Sequence, residues 1–469
     1  METSVVYIKK GSSRIEQIWQ SIKRSFREFL SVPSLIIIAF FILAICSNLL
    51  DHGDHPIFKP VRALMKNTIF QDPKATSTLL GTIASSIITV LSLTITLLLI
   101  VVQQSATTMT AQVFDQFLRS RHNQTYFGFF VGLAFYSLIL LSTVNQDFNP
   151  VIGASFAFIL SVVALYLLII LVYTTINDMR PAVIISSIYD QVMLARDKQV
   201  SFIRKTRNKP QLTGNWRISV KTTAHGYITR IHLDRIDKFI KNINNETEVV
   251  LLVSIGDYVA FHDELAYVTA NAKEDGCAIG NAVGNAIELE KQRDIGIDPG
   301  DGVEQLRTIA WTSVSTAKQS PYPGLLVIRN LRDVLLHWSE REIHPAKNVY
   351  PIVYKDTGIP VIMETFESLA IISSESMQHQ VFIEILFTFI TSFNRISEEN
   401  KKRTEDIILR MLSAMGDFVL TAALERKLEE LIKMLISEGR NETAAAVQKA
   451  KDRLKESVGI INSRSTRIK

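Results

Sequence analysis

Four apolar stretches dominate the first 180 residues of the chain: Leu35–Leu50, Leu79–Val102, Tyr126–Val144 and Val151–Ile176. A bilayer core takes about 20 helical residues, and each stretch reads as a membrane-crossing helix. The first is short but begins after Pro33 and can borrow Ser31 and Val32. The second belongs to an uncharged run from Ala75 to Phe114, about 40 residues in all. As one helix that run would reach roughly 60 Å, twice the apolar thickness of a membrane.

Polar positions give that stretch its character. Thr82, Ser85, Thr89, Ser92, Thr96 and Gln103 recur at alternating three- and four-residue steps, with Leu99 the apolar interruption. They form one stripe down an otherwise apolar helix. Such a stripe either lines a wet, uncharged passage, with Leu99 as a hydrophobic constriction, or packs. In the second case its hydroxyls bond to neighbouring helices or to their own carbonyls. Ahead of the first span, Ile15, Ile18, Trp19, Ile22, Phe26 and Phe29 mark an amphipathic helix with a basic opposite face. It suits an anionic leaflet, or packing on the protein's own soluble part. The pair Gly128 and Gly132 in the third span allows close helix approach.

After Arg180 the periodicity changes. Pro181–Ile203 reads as a helix, and the basic, turn-rich stretch 204–215 as a linker. Strand-like runs Gly226–His232, Glu248–Ile255 and Leu265–Thr269 surround a short helix opening near Asp234, with a turn at Gly256 and Asp257. Asp275–Trp338 looks helical, with Asp301 as a helix cap. A hairpin is expected to turn at Asp356-Thr357-Gly358, followed by three long amphipathic helices over Glu364–Arg395, Glu405–Glu438 and Glu442–Ile461. The fold class is a mainly α membrane protein: four transmembrane helices, then a cytoplasmic α+β region with a small β-rich module and a C-terminal helical bundle. The boundaries are residues 1–30 for the interfacial helix, 31–180 for the spans and 181–221 for the helix and linker. Beyond them lie 222–272 for the β module, 273–345 for a helical region, and 346–469 for hairpin and bundle.

Composition supports this division. Of 469 residues, 47% are hydrophobic and 21% charged, so a sizeable soluble part accompanies the spans. A net charge of +5 is a weak argument for nucleic acid, and none is expected as a partner. Lys and Arg flank the first and last spans and the link carrying Arg119 and Arg121, whereas the link around Asp147 has none. By the positive-inside rule both termini are expected to be cytoplasmic. The two cysteines give no metal spacing.

Chemistry is sparse. The sequence holds no phosphate-binding loop, dinucleotide fingerprint, H-E-x-x-H or C-x-x-C, so no enzyme activity and no cofactor are expected. In "DHGDHP", His52 and His55 with Asp51 and Asp54 form a metal candidate, set against a hydrated loop. "RDIGIDPGDG" resembles a Ca²⁺ loop but lacks the ligand order of one, and reads as a turn with helix caps. None of the four apolar stretches contains Asp, Glu, Lys, Arg or His, which disfavours coupled transport.

The motif order resembles a family. Gly226, Tyr227 and Ile228 match a Gly-Tyr-Val strand, with His232 in place of its Asp, and Gly256, Asp257, Tyr258 and Val259 match a Gly-Asp-Phe-Val turn. Arg293, Asp298 and Pro299 match an Arg-Thr-x-x-Gln-Asp-Pro stretch from which Asp294 and Ile297 depart. Of a Ser-Pro-x-x-Asn-Asp-Pro motif only Ser315 and Pro321 remain, with Thr316, Gln319 and Ser320 replacing Pro, Asn and Asp. The chain is thus similar to the bacterial predicted membrane proteins grouped as domain of unknown function 2254, from about Ile37 to the C-terminal helices. The resemblance implies location in a bacterial inner membrane and this domain order, and supplies no activity. Two functions follow: an oligomeric channel whose second span lines the pore, or a membrane-anchored sensor or scaffold.

Overall fold

A computed structural model describes residues 2–8, 30–52, 70, 72–108, 121–243, 246–315, 320–340, 343–415 and 419–457. The chain divides into two compact units, Ser12–Val183 and, together, Met1–Gly11 with Ile184–Lys469.

The first unit holds four helices long and apolar enough to cross a membrane. They are α1 (Ser31–His52), α2 (Pro73–Thr108), α3 (Arg121–Thr143) and α4 (Val151–Asp178). Helix α3 packs against the other three, and its glycines explain the closest approach. A Cβ at Gly128 would meet the Pro33 backbone at 2.9 Å, and one at Gly132 would run into the Phe40 ring. The small-xxx-small pair therefore brings α3 onto α1.

Helix α1 extends past the apolar run to take in Asp51, which is 7% exposed. Its carboxylate accepts from the backbone N–H of Ile152 (2.9 Å) and Gly153 (2.8 Å). Those N–H groups open α4, where no intrahelical acceptor exists. The Tyr136 hydroxyl lies 3.1 Å from the Gly153 carbonyl and 3.2 Å from Ser47 Oγ. The spans are thus not free of ionisable groups at their ends: one buried carboxylate joins the first and fourth.

The second unit contains two sheets. The N-terminal strand β1 (Glu2–Ile8) pairs in parallel with β2 (Trp216–Thr222), from Glu2 opposite Trp216 to Ile8 opposite Thr222. With β6 (Glu264–Ala270), β4 (Glu248–Leu251) and β8 (Ile352–Val353) they form a five-stranded sheet in the order β1-β2-β6-β4-β8. Strands β5 (Tyr258–Val259), β3 (Gly226–Ile231) and β7 (Ile287–Glu290) form the other. Helices α5 (Pro181–Ile203), α6 (Leu233–Ile243) and α7 (Lys273–Ala286) accompany them. Ile218, Val220, Val268, Ile279 and Val283 lie in the shared core. Gly276 and Gly280 let α7 approach the sheet closely, against Ile218 and Val220.

Several expectations are corrected. Residues 2–8 are a strand, not part of the interfacial helix, because an alternating Ser4/Val6 face can pack on α7; the rest of that expected helix, 9–29, lies outside the described residues. The β-rich region extends beyond 222–272, since it recruits β1, β2, β7 and β8. Ile287–Glu290 leaves the helical pattern because β3 offers a pairing edge. No hairpin turns at Asp356–Gly358: Ile352 and Val353 pair in parallel with β4, and Gly358 opens α10 (Gly358–Glu375). Pro360 lies in the first turn of that helix, where the missing N–H costs nothing.

The bundle is cut more finely than its periodicity suggests. After α8 (Pro299–Ser315) and α9 (Tyr322–Glu340) come α10, α11 (His379–Ser392), α12 (Glu398–Ala414), α13 (Ala422–Ser437) and α14 (Asn441–Ser457). Met377, at φ +57°, separates α10 from α11. Thr421 starts α13 afresh by accepting from the Leu424 N–H at 3.3 Å.

Candidate functional site: the outward face of the second span

Helix α2 starts where Asp72 caps it, accepting from the Ala75 N–H at 2.5 Å, with Pro73 in the first helical position. It then runs unbroken for 36 residues, about 54 Å. One face is buried in its own unit: Thr76, Leu80, Ile83, Ile87 and Thr94. At about 100° per residue, the stripe lies about 180° from that face.

Thr82, Ser85, Thr89, Ser92, Thr96, Leu99 and Gln103 are accordingly all exposed, and Leu99 is 53% exposed. Four of the five hydroxyls bond to their own helix. Thr82 Oγ1 donates to the Thr78 carbonyl (2.7 Å), Ser85 Oγ to Thr82 (3.1 Å), Thr89 Oγ1 to Ser85 (2.9 Å) and Thr96 Oγ1 to Ser92 (3.0 Å). Those four hydroxyl protons are thereby committed inward, and what the four groups turn outward is oxygen lone pairs and methyl groups. The face can solvate a passing species or accept a close neighbour. At the helix start the stripe opens into a shallow groove of about 600 Å³ lined by Asp72, Lys74, Thr78, Leu79 and Thr82.

The metal candidate does not come together in the described residues. His52 Nδ1 lies 2.9 Å from the Asn48 carbonyl, and its ring stacks on Phe148 at 4.0 Å. His55 lies outside the described residues. Among those described, no group of three or more His, Cys, Asp or Glu could hold a metal ion.

The "RDIGIDPGDG" stretch is a charge cluster at the start of α8. Asp298, not Asp301, is the cap: it accepts from the Gly300 N–H at 2.9 Å, and Pro299 follows it. Arg293 Nε donates to Asp298 at 2.7 Å, and Gln305 Nε2 to Asp301 at 2.9 Å. Burial pushes both carboxyls above the ordinary carboxylate range, against the opposing pull of Arg293. Gly256, at φ +96°, lies directly on this cluster: a Cβ there would overlap the Asp298 carboxylate and meet Arg293 Nη2 at 2.8 Å. The Gly-Asp turn and the Asp-Pro stretch are thus one packed junction, although 42 positions separate Gly256 from Asp298 in the sequence. Where Ser320 replaces the expected Asp, its hydroxyl accepts from the Tyr322 N–H at 3.3 Å and keeps a role at the start of α9.

Sequence reasoning missed a second buried pair. Arg196 of α5 is 2% exposed and grips both oxygens of Asp356, at 2.9 and 2.6 Å, with its guanidinium over the Trp338 ring. Burial pushes the Asp356 carboxyl up, but Arg196 outweighs it and holds the group below its usual range. Only "ARDKQ" on the apolar face of an amphipathic helix hinted at it.

No curated protein and no solved structure matches the chain. The family described as "Predicted membrane protein (DUF2254)" matches residues 27–369. That match covers the spans, every strand of the two sheets except β1, the Gly256–Asp298 junction and the helices into α10, and the chain belongs to this family of predicted membrane proteins.

Proposed function

We propose that the protein is an oligomeric inner-membrane channel, with the exposed face of α2 lining a passage between copies and the second unit forming a cytoplasmic vestibule or gate. One observation carries the reading: the polar stripe points away from its own helix bundle along its whole length. Facing lipid, its hydroxyls gain nothing beyond the bonds to their own backbone. Facing water between copies, their free lone pairs replace part of a permeant species' hydration. The exposed faces of α1 and α4 are built differently, from large apolar groups such as Leu35, Phe41, Ile159 and Ile169, and suit lipid. Four spans in one protomer leave little room for a lined passage, so the reading calls for a homo-oligomer.

Topology is supported from two directions. Lys and Arg cluster before α1 and after α4. In addition, β1 and β2 share a sheet although all four spans lie between them in sequence, which favours an even number of crossings. The test is native mass spectrometry of the full chain from mild detergent: a discrete homo-oligomer is expected, and a monomer at every concentration would end the channel reading.

A further inference from the structure

Tyr166 is the polar exception on the face that α4 turns away from its own bundle, and it is 66% exposed. Thirteen positions before it, the Gly153 N–H meets the Asp51 carboxylate; twelve positions after it, Asp178 ends the helix. At about 1.5 Å per residue, each of these polar ends lies roughly 20 Å away along the axis. A bilayer core is about 30 Å thick, so Tyr166 sits near its middle. Its exposed neighbours one turn away, Val162, Val163, Ile169 and Ile170, are all apolar. Four hydroxyls of the α2 stripe reach their own helix carbonyls. A tyrosine hydroxyl stands at the far end of a rigid ring and does not. Among the described residues that of Tyr166 has no hydrogen-bond partner. At this depth only lipid tails or another spanning helix can lie against it, and lipid tails offer no acceptor.

We infer that this face of α4 rests on the same face of a second copy of the chain. Ile159, Val162, Tyr166, Ile169, Tyr173 and Ile176 follow one another at alternating three- and four-residue steps, and all are exposed. That is the spacing of a left-handed helix pair, the commoner crossing in membranes. The apolar side chains of the row are as well placed in lipid as against a helix; the hydroxyl is not. A tyrosine hydroxyl both donates and accepts. Across a two-fold axis along the membrane normal, Tyr166 meets its own copy at the same depth, and one hydroxyl can donate to the other. The face is thus complementary to itself. The four β-branched residues of the row are stiff and lose little side-chain freedom when packed. Tyr173, five positions from Asp178, lies where tyrosines meet the membrane–water interface, and its hydroxyl is served by water there. The contact calls for a second copy but no passage, and stands whether or not the protein conducts.

The test uses the full chain with Cys46→Ser and Cys277→Ser, reconstituted in bilayers and treated with copper phenanthroline, an oxidant that enters the membrane. Single cysteines are introduced by Ile159→Cys or Tyr173→Cys, one heptad on either side of Tyr166. The control is Leu165→Cys, at a position 57% exposed but about 100° round the helix from Tyr166. A disulfide needs Cα atoms within about 7 Å of each other. Cysteine at 159 or at 173 is expected to cross-link the chain into dimers, and cysteine at 165 to leave it uncross-linked. Adding Tyr166→Phe is expected to lower the cross-linked fraction at 159 and 173 about threefold, the worth of one hydrogen bond between membrane helices. An unchanged fraction would overturn the role of the hydroxyl. No cross-link at 159 or 173, or equal cross-linking at 165, would overturn the contact and leave this face to lipid. Conductance is measured separately, so a cross-linked dimer that does not conduct ends the channel reading and not this one.

Discussion

Asp51, at the end of the first span, accepts a hydrogen bond from the backbone N–H of Gly153 at 2.8 Å, closing the start of the fourth span across 102 positions of sequence. Without the carboxylate, two buried N–H groups at Ile152 and Gly153 lose their acceptor. Asp51→Ala is expected to cost about 2 kcal/mol, and Asp51→Asn less, since one amide oxygen remains. Thermal unfolding in detergent should rank wild type above Asn and Asn above Ala. Equal midpoints would show that this cap contributes nothing.

The Gly256 junction allows a controlled comparison. Gly439 also has a positive φ, +76°, but a Cβ there meets nothing within 4 Å. Gly439→Ala should therefore cost only the left-handed backbone, about 1 kcal/mol. Gly256→Ala adds a collision with the Arg293–Asp298 pair and should cost at least about twice as much. If the two variants unfold alike, the packing of Gly256 on Asp298 is not a constraint.

Protonation at the same junction has a definite sign. Asp298 and Asp301 both have carboxyls raised above their unfolded values, chiefly by burial. Their charged forms disfavour the fold, so the stability they contribute is present in acid and lost as pH rises through the folded values. Asp301→Asn keeps the bond from Gln305 Nε2 and leaves Asp298 to neutralise Arg293. Its unfolding midpoint should exceed wild type at pH 8, and the gap should close on acidification. A gap that widens in acid would reverse the assignment.

The spans were the most legible part of the sequence, because hydropathy depends on composition over about 20 residues and not on partners. Pro181–Ile203 was equally plain from its flanking turns. What the sequence hid were non-local relationships. Glu2–Ile8 becomes a strand only because β2 lies beside it, and Ile287–Glu290 only because β3 does. The apolar runs around Asp356 imitate a hairpin, but Arg196 claims that aspartate and Gly358 opens a helix. At the candidate site the stripe itself was readable, and its direction was not: only packing could reveal that Leu80, Ile83 and Ile87 take the inward face.

Topology can be read by accessibility. Cysteines at Asp147 and Asn215, in a background without Cys46 and Cys277, should differ in intact cells. An impermeant maleimide is expected to label position 147 and to reach 215 only after lysis. Labelling of 215 in intact cells would invert the arrangement.

The central claim is that the exposed face of α2 lines a passage, and Leu99 tests it most directly. Leu99 and Leu97 are similarly exposed, 53% and 50%, and about 160° apart around the helix. Leu97→Ser places a hydroxyl away from the stripe, whereas Leu99→Ser removes the one apolar break within it. In planar bilayers holding the reconstituted full chain, Leu99→Ser should raise conductance several-fold over wild type, and Leu97→Ser should leave it near the wild-type level. Equal conductance from the two variants, or none from any, would contradict the account.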